Sequence, residues 1–171
     1  VTLEEYDSVK QIAQVFGLSL DQLLYRNGYE SETEVSEEDE LRVVYPLLME
    51  NPIDQEELDL LARIIYLEAG YEPYEGQIAV GNVILNRVAS SRFPNSIYDV
   101  LFQPGQFPPA SSGRIYEITP SEAAYQAARE ALSGNDVIGG AAYFFNNVNR
   151  ITGFFQTLTP VKDIGNHRFM R

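Results

Sequence analysis

The apolar residues between Leu58 and Val88 predict two consecutive helices joined by a short turn. Gly70 predicts the end of the first helix, and Pro73 fits the first turn of the second. The second helix, Tyr74–Val88, is apolar on nearly all sides, which is typical of a central buried helix, and Gly81 allows another helix to cross it closely. The apolar stripe of the first helix follows helical spacing: Leu58, Leu61, Ala62, Ile65 and Ala69.

Glu68 is the candidate catalytic residue of this stretch. It follows Leu61 by seven residues and Ile65 by three, which places it on or beside the inward stripe, in the last turn of the helix. Burial there removes water from the carboxyl group and raises its pKa. The partial negative charge at a helix C-terminus also disfavours the ionised form, so both effects favour a proton donor near neutral pH. An exposed glutamate at a fraying helix end fits the spacing equally well.

The chain after the helix pair alternates short helices with loops before one aromatic strand. Asn95 or Ser96 is a predicted cap for a helix over Ile97–Phe102, and the proline-rich segment Gln103–Ser112 is a predicted loop. Thr119 as N-cap, Pro120 at the first helical position and Glu122 at the third predict the start of an alanine-rich helix that packs closely on the central one. The run AAYFFNN, opened by Gly139-Gly140, predicts a short strand.

Residues Val1 to Pro46 predict a separate small unit. Asp7 or Ser8 is the expected cap of its first helix, and Ser19 with Gln22 forms a capping box for its second. The predicted order is strand, helix, helix and strand, over Val1–Leu3, Val9–Phe16, Leu20–Leu24 and Leu41–Tyr45.

The charge of the chain is strongly and unevenly negative. Net charge is −13; residues 1–50 carry 12 acids and 3 bases, and residues 51–171 carry 13 acids and 9 bases. Such a chain is a poor candidate for binding nucleic acid or anionic membranes, and the acidic run Glu30–Glu40 is expected to be a solvated loop. No apolar run approaches the roughly 20 residues that span a bilayer.

Composition also limits the chemistry. The chain has no cysteine and one histidine, His167, which argues against zinc amidases and zinc peptidases. We therefore expect neither a metal nor a cofactor. Because the chain begins at Val1 without an initiator methionine or a signal peptide, we expect a mature fragment.

The run Ile64–Val88, IIYLEAGYEPYEGQIAVGNVILNRV, carries a specific resemblance. It is similar to the signature of the cell-wall hydrolase family of the spore-cortex-lytic enzymes, in which a helix ending in Y-x-E-A-x-x-E-P precedes a G-Q-x-A-V-x-x-V-x-L-N-R-V helix. Gly70-Tyr71 stands where the family often has Arg-Gly. The similarity continues in order through Phe93–Asn95, Gln103–Phe107, Tyr143–Asn146 and Ile164–Phe169.

Residues 7–28 carry a second resemblance, to the LysM module, in the pattern D-S-V-x-x-I-A-x-x-F-G-L-S-L-D-Q-L-L-x-x-N-G. This resemblance implies binding to glycan that contains N-acetylglucosamine. The alternative is a remnant that only packs against the catalytic domain. The expected organisation is a LysM-like module at 1–47, a linker at 48–55 and a catalytic domain at 56–171.

Together these resemblances imply an α+β protein. The catalytic domain is expected to be mainly helical and lysozyme-like, similar to the lytic transglycosylases, with a small β-hairpin or sheet, and the LysM-like module to have βααβ order. They also imply a monomer outside the cell or in the cell wall, with spore cortex and vegetative wall both open as substrate.

Four residues are candidates for contacts with a sugar. Gln106 and Phe107 could line a cleft, although Phe107 could equally plug the core. Tyr143 and Asn146 offer a hydroxyl and an amide for an N-acetyl group or a sugar hydroxyl, although an aromatic strand more often belongs to the core.

Three further side chains are expected to have other roles. Phe154 and Phe155 are expected to form a hydrophobic lip. His167 is expected to be a structural hydrogen-bonding residue rather than a catalyst.

The resemblance implies cleavage of peptidoglycan glycan strands, and three readings of it compete. Glycosidases usually use an acid and a second carboxylate, and Glu72 is either that assisting group or a residue that orders the turn before the next helix, which is the role we favour. A lytic transglycosylase needs only Glu68, because the C6 hydroxyl of N-acetylmuramic acid attacks and closes a 1,6-anhydro ring. The alternatives are a true hydrolase and a non-catalytic peptidoglycan-binding protein.

Overall fold

The computed structural model describes residues 8–15, 20–27, 29, 31–36, 39–41, 54–140 and 142–171. Within these ranges the chain forms seven α-helices and three β-strands. The helices are α1 Val9–Val15, α2 Leu20–Asn27, α3 Gln55–Ala69, α4 Tyr74–Ala89, α5 Ile97–Phe102, α6 Pro108–Ser111 and α7 Glu122–Leu132. The strands are β1 Phe144–Asn147, β2 Pro160–Ile164 and β3 His167–Met170.

Helix α3 begins at Gln55, the last residue of the predicted linker. Asp54 is its N-cap, and the Asp54 Oδ1 atom accepts hydrogen bonds from the backbone N–H groups of Glu56 at 2.8 Å and Glu57 at 3.3 Å. This cap satisfies free N–H groups of the first helical turn.

The prediction of a central helix is confirmed by α4. Twelve of its sixteen residues are buried, so neighbours surround it on nearly every side. A Cβ atom added to Gly81 would lie 2.9 Å from Ala131 Cβ of α7 and 3.2 Å from Ile65 Cδ1 of α3. The missing side chain is therefore what lets α7 cross α4 so closely, as predicted.

The start of α7 differs from the prediction. Ser121, not Thr119, is the N-cap, with its Oγ atom 3.2 Å from the backbone N of Ala124, and Pro120 precedes the helix. Arg63 of α3 donates hydrogen bonds to the carbonyl oxygens of Ile115 at 3.2 Å and Ile118 at 2.5 Å. This tertiary contact fixes the chain just before Thr119, and the helix begins at the later of the two candidate capping residues.

The small sheet is confirmed, with strand order β1-β3-β2 and antiparallel pairing throughout. Phe145 lies opposite Phe169 and Asn147 opposite His167. β1 begins at Phe144, later than the run AAYFFNN implied, and Tyr143 before it is fully buried. The strand therefore begins immediately after this fully buried residue.

The two helices predicted for the N-terminal unit are confirmed, with Ser8 as cap of α1, where Ser8 Oγ accepts from Gln11 N at 3.1 Å. The predicted strands, at Val1–Leu3 and beyond Leu41, lie outside the described residues, as do Phe16 and the capping residue Ser19. The unit has its own buried cluster, separate from that of the larger domain: Val9, Ile12, Ala13, Leu23, Leu24 and Leu41. Among the helices that can be described, none has the length and apolar character to cross a membrane.

Candidate active site

A cavity of about 510 Å³ lies where the end of α3 meets α4, the loop before α6, β1 and a short 3₁₀ turn at Gly153–Thr157. Its wall is mostly aromatic, and of the described side chains that line it two are ionisable, Glu68 and Arg87. The lining residues are Glu68, Arg87, Phe93, Gly105, Gln106, Phe107, Pro108, Phe144, Phe145, Phe154 and Phe155.

Glu68 lies in the last turn of α3, as predicted, with its side chain at the cavity wall. It is half-buried, and loss of water raises the pKa of its carboxyl group above the ordinary glutamate value. Among the residues that the structure describes, no other carboxylate lines the cavity. This environment suits a group that must carry a proton when substrate binds.

Glu72 does not line the cavity, although only four residues separate it from Glu68. Its Oε2 atom accepts from the backbone N–H of Asn166 at 2.8 Å, and its Oε1 atom accepts from the Asn166 side-chain amide at 3.1 Å. Glu72 therefore orders a turn, the role we favoured. The turn it orders is the one between β2 and β3, not its own.

Gly165 makes this contact sterically feasible. Its φ is +57°, a conformation that glycine adopts readily. A Cβ atom there would lie 2.2 Å from Glu72 Oε2. The turn can approach the carboxylate only because residue 165 has no side chain.

Arg87 is the functional candidate that our reading of the sequence missed. It is 4% exposed, and burial lowers the pKa of its guanidinium to about 10, so it stays charged at neutral pH. Its Nε atom donates to the Tyr143 carbonyl oxygen at 2.7 Å, and its Nη1 atom donates to Gln106 Oε1 at 3.1 Å. The sequence did contain a sign of this, because an arginine is rarely buried without a partner and Arg87 lies in a helix predicted to be buried and apolar.

Buried polar side chains of α4 also fix the segment that leads into β1. Asn82 Nδ2 donates to the Asn135 carbonyl oxygen at 2.8 Å, and Asn86 Nδ2 donates to the Ala142 carbonyl oxygen at 3.0 Å. With the Arg87 bond to Tyr143, these contacts tie α4 to the backbone before β1. The aromatic wall of the cavity is thereby held against the helix that carries Arg87.

Gln106 and Phe107 both line the cavity, in agreement with the expectation that they border a cleft. Gln106 is exposed, whereas Phe107 is 3% exposed and belongs to the main hydrophobic core. Phe107 therefore has both of the roles that the sequence left open, because it belongs to the hydrophobic core and also borders the cavity.

The structure does not bring Tyr143 and Asn146 to the cavity. Tyr143 is fully buried, with its ring stacked on Phe93 at 5.5 Å between centroids. Asn146 Oδ1 accepts from the Asn147 backbone N–H at 2.8 Å. Because Tyr143 is fully buried, the expectation that its hydroxyl contacts a sugar is corrected, whereas the expectation for the half-buried Asn146 stays a prediction.

Phe154 and Phe155 lie at the cavity as expected of a lip, and Phe154 is 57% exposed. His167 is half-buried beside Phe145, with 5.1 Å between ring centroids. Burial lowers the pKa of its imidazole, and the charge of Glu72 acts in the opposite direction. Its Nδ1 atom is buried without a hydrogen-bond partner, so the expected structural bond is not made through that atom.

No group of three or more histidine, cysteine, aspartate or glutamate residues with metal-binding geometry occurs within the ranges that the structure describes.

Comparison with known proteins assigns the family. The sequence model of the Cell Wall Hydrolase family matches residues 71–170, from just after Glu68 almost to the C-terminus. The chain belongs to this cell wall hydrolase family. The resemblance first carried by the run Ile64–Val88 is thereby confirmed for the larger domain.

Relatives of this family member include the spore cortex-lytic enzyme of Bacillus cereus, 40% identical over 121 residues, which are 71% of this chain and 46% of that enzyme. The chain thus spans less than half the length of that relative.

Two solved structures of this family have the same fold. The catalytic domain of the Bacillus cereus SleB protein is 39% identical with a TM-score of 0.64, covering 71% of this chain and 94% of that one. The catalytic domain of the germination-specific lytic transglycosylase SleB from Bacillus anthracis is 38% identical with a TM-score of 0.65, covering 72% and 100%. The mainly helical fold with a small sheet is therefore shared with both.

Proposed function

We propose that this chain cleaves the glycan strands of peptidoglycan as a lytic transglycosylase, with Glu68 as its catalytic acid and base. The observation that carries the proposal is a single carboxyl group with a raised pKa in the wall of an aromatic cavity. Aromatic faces suit the apolar faces of sugar rings. The relatives named for cortex lysis and for lytic transglycosylation support the same substrate class.

In the first step Glu68 donates its proton to the glycosidic oxygen as the bond from that oxygen to C1 of N-acetylmuramic acid breaks. The resulting Glu68 carboxylate then takes the proton of the C6 hydroxyl, and the C6 oxygen bonds to C1. The products are a 1,6-anhydro-muramyl end and a free 4-hydroxyl on the departing sugar, and Glu68 has regained its proton. One carboxyl group therefore completes the cycle without water.

Hydrolysis would require a second group to activate water. Glu72 is the candidate nearest in sequence, but its two oxygens are engaged by Asn166 and it does not line the cavity. This arrangement favours transglycosylation over hydrolysis. Gln106, Phe107 and the lip formed by Phe154 and Phe155 are the proposed substrate contacts, since all four line the cavity.

The deciding experiment is mass spectrometry of peptidoglycan digested with the chain. We expect products that end in 1,6-anhydro-muramic acid. Products with free reducing ends would instead establish a hydrolase. If no cleavage were found, the chain would instead be a glycan-binding protein.

The substitution Glu68→Gln tests the assigned acid. We expect cleavage to fall by at least about 100-fold, within the range that general acid catalysis contributes. The circular dichroism spectrum should stay unchanged, since the amide has nearly the same shape. A variant with near-wild-type turnover would move the catalytic role to another residue.

We also propose that residues 1–47 form a LysM-like module that binds N-acetylglucosamine-containing glycan and directs a lysozyme-like domain at 56–171 to the wall. Support comes from α1 and α2, which pack into a cluster of their own. We propose a monomer associated with the cell wall or spore. Retention of the isolated residues 1–47 on insoluble peptidoglycan would support the module's role, and failure to bind would leave it a packing element.

A further inference from the structure

Three aromatic rings stack on one another outside the cavity lining. Phe102 of α5 stacks both with Tyr98 of the same helix and with Tyr116 of the 3₁₀ turn Arg114–Tyr116. The ring centroids of Tyr98 and Phe102 are 4.4 Å apart with 25° between the planes, and those of Phe102 and Tyr116 are 6.0 Å apart with 21°. The rings are therefore nearly parallel, and we call the three residues the aromatic stack.

The two tyrosines of the aromatic stack are exposed to solvent. Tyr98 is 52% exposed and Tyr116 is 59% exposed, whereas Phe102 is half-buried and packs against the main core. Single exposed apolar side chains are normal on a protein surface, but a cluster of them marks a site of interaction. The aromatic stack therefore presents two tyrosine rings to solvent from a ring that is anchored in the core.

The hydroxyl groups of these two tyrosines are also available. Within the part of the chain that the structure describes, no hydrogen bond joins the hydroxyl of Tyr98 or Tyr116 to another protein group. By contrast, the Tyr74 hydroxyl of the same domain donates to Glu130 Oε1 at 2.8 Å, and that of Tyr125 donates to a carboxylate. A phenolic hydroxyl can both donate and accept a hydrogen bond. The aromatic stack thus offers a ligand ring surface together with unused hydroxyl groups.

These properties suit a sugar ring. A sugar has apolar C–H groups on its faces and hydroxyl groups around its edge, so it can use an aromatic ring and a phenolic hydroxyl at the same time. Phenyl and phenol rings are uncharged at neutral pH, and N-acetylglucosamine is uncharged as well. A neutral sugar therefore matches the aromatic stack in both polarity and charge.

A short loop connects the aromatic stack to the cavity. Phe102 is the last residue of α5 and Gly105 lines the cavity, so their Cα atoms lie within about 11 Å of each other. The backbone N–H of Gln106 donates to the carbonyl oxygen of Gln103 at 3.2 Å, which folds this loop into a turn. Helix α6, whose first residue lines the cavity, packs against both α5 and the 3₁₀ turn that carries Tyr116. The aromatic stack and the cavity are therefore neighbours.

The size of the cavity requires a glycan strand to continue beyond it. A volume of about 510 Å³ lies in the range of about 300–1,000 Å³ that is typical of pockets for one small molecule. The proposed substrate is a polymer, so most of a bound strand lies outside the cavity. Sugars there contribute to binding only if the protein surface next to the cavity can hold them.

We propose that the aromatic stack is a second sugar-binding site, which holds a neutral sugar of the glycan strand while another part of the same strand lies in the cavity. The inference rests on the proposed function and deepens it, because it gives the enzyme a preference for long strands over short ones. The aromatic stack does not contact the reacting atoms. It therefore acts on the binding of the strand and lowers KM while leaving kcat unchanged.

The test compares the whole chain with its variant Tyr98→Ala/Tyr116→Ala. The substrates are long glycan strands and the shortest glycan fragment that the chain cleaves, both prepared from the same peptidoglycan. We expect kcat/KM for long strands to fall about tenfold, mainly through KM, as is typical when interface tyrosines are truncated. The value for the short fragment should change little. An unchanged kcat/KM for long strands, or an equal loss on both substrates, would overturn the proposal.

Two further variants separate stacking from other effects. Tyr98→Phe/Tyr116→Phe keeps both rings and removes both hydroxyl groups, so it should retain most of the preference for long strands. Tyr74→Ala is the matched control, because Tyr74 is 38% exposed and lies outside both the aromatic stack and the cavity lining. It should leave the ratio of kcat/KM for long and short substrates unchanged. A change in that ratio as large as the one caused by the alanine pair would contradict the proposal.

Calorimetry measures binding without cleavage in chains that also carry Glu68→Gln. The alanine pair should weaken the binding of long strands by a similar factor of about ten. Phe102 is left in place because it packs against the core, and circular dichroism checks the fold. If the alanine pair does not fold, Tyr98→Ala and Tyr116→Ala are measured singly, and each should give a smaller loss in the same direction.

Other outcomes separate this inference from the proposed function. Anhydro ends formed with a length preference that the alanine pair does not alter would exclude the second site and keep the function. Weaker binding of long strands by the alanine pair, in a chain that cleaves nothing, would keep the site and exclude the function. Self-association that the alanine pair abolishes, with unchanged affinity for glycan, would make the aromatic stack an interface between copies of the chain and overturn the proposal.

Discussion

Glu68 and Glu72 show that the immediate surroundings of a carboxylate determine its role. Four residues apart in sequence, one lies in the cavity wall with its pKa raised by burial, and the other bonds to the turn at Asn166. The spacing of the apolar stripe placed Glu68 on or beside the inward face at the end of its helix, but an exposed glutamate fitted that spacing equally well. The partner of Glu72 could not be predicted, because Asn166 is 94 residues away.

The raised pKa of Glu68 predicts a particular pH dependence. Glu68 must be protonated to act, so activity is lost as pH rises through its pKa in the folded protein. An exposed glutamate, with a pKa of about 4.3, would be less than 1% protonated at pH 7. Because burial raises the pKa of Glu68, we therefore expect the alkaline limb of the kcat/KM profile above that value. An alkaline limb at the pH of an ordinary solvated glutamate would remove the proposed proton donor.

The substitution Glu68→Asp provides the control for this profile. The shorter side chain should cost activity by pulling the carboxyl group away from the glycosidic oxygen. The alkaline limb of the kcat/KM profile should stay at a similar pH, because the residues that bury the carboxyl group are unchanged.

Replacement of Glu72 should affect stability more than chemistry. In Glu72→Ala the backbone N–H and side-chain amide of Asn166 lose their acceptors, and we expect unfolding to become easier by about 1–2 kcal/mol. Glu72→Gln keeps an acceptor and should retain most of the activity. Chemical denaturation and product formation measure the two effects. Loss of cleavage by Glu72→Gln with unchanged stability would restore Glu72 as the assisting group of a hydrolase.

At the level of elements, α4 organises the molecule. Its burial was readable from its apolar sequence, and its close crossing with α7 from Gly81 and the alanines of α7. Its polar side chains were not understood from sequence, because the carbonyl oxygens bound by Asn82, Asn86 and Arg87 belong to a segment more than 50 residues away.

The crossing of α4 and α7 predicts the effect of Gly81→Ala. Alanine favours a helix over glycine by about 1 kcal/mol, but overpacking a tight contact costs about 1–3 kcal/mol. With the new Cβ atom 2.9 Å from Ala131 Cβ, we expect net destabilisation, measured as a lower midpoint of urea unfolding.

The matched control is Gly76→Ala in the same helix. Its nearest neighbour would be Glu72 Cβ at 3.3 Å, so the loss of stability should be smaller. If Gly81→Ala were the more stable of the two, α7 would be able to move away from α4 at little cost.

For the whole molecule, the described residues form two buried clusters and the charge of the chain is uneven, which is the basis of our prediction of two units. We predict that a fragment comprising residues 54–171 folds and cuts soluble glycan at a rate similar to the whole chain, while binding insoluble wall less well. It begins at the cap of α3, so the first helix stays complete. Activity on soluble and insoluble substrate, with circular dichroism of the fragment, makes the comparison. An unfolded fragment would show that the units share a core.

The sequence by itself determined the helix pair, the place of Glu68 at the end of α3, the central position of α4 and the family. These depend on local periodicity, caps and contiguous motifs, which a chain carries in short stretches. Tertiary structure alone decided where Glu72 bonds, that Ser121 rather than Thr119 caps α7, that Tyr143 is buried away from the cavity, and that Arg87 faces it. Each of these is settled by atoms distant in sequence, because a hydrogen bond, a packed ring or a buried charge depends on which surfaces meet after folding.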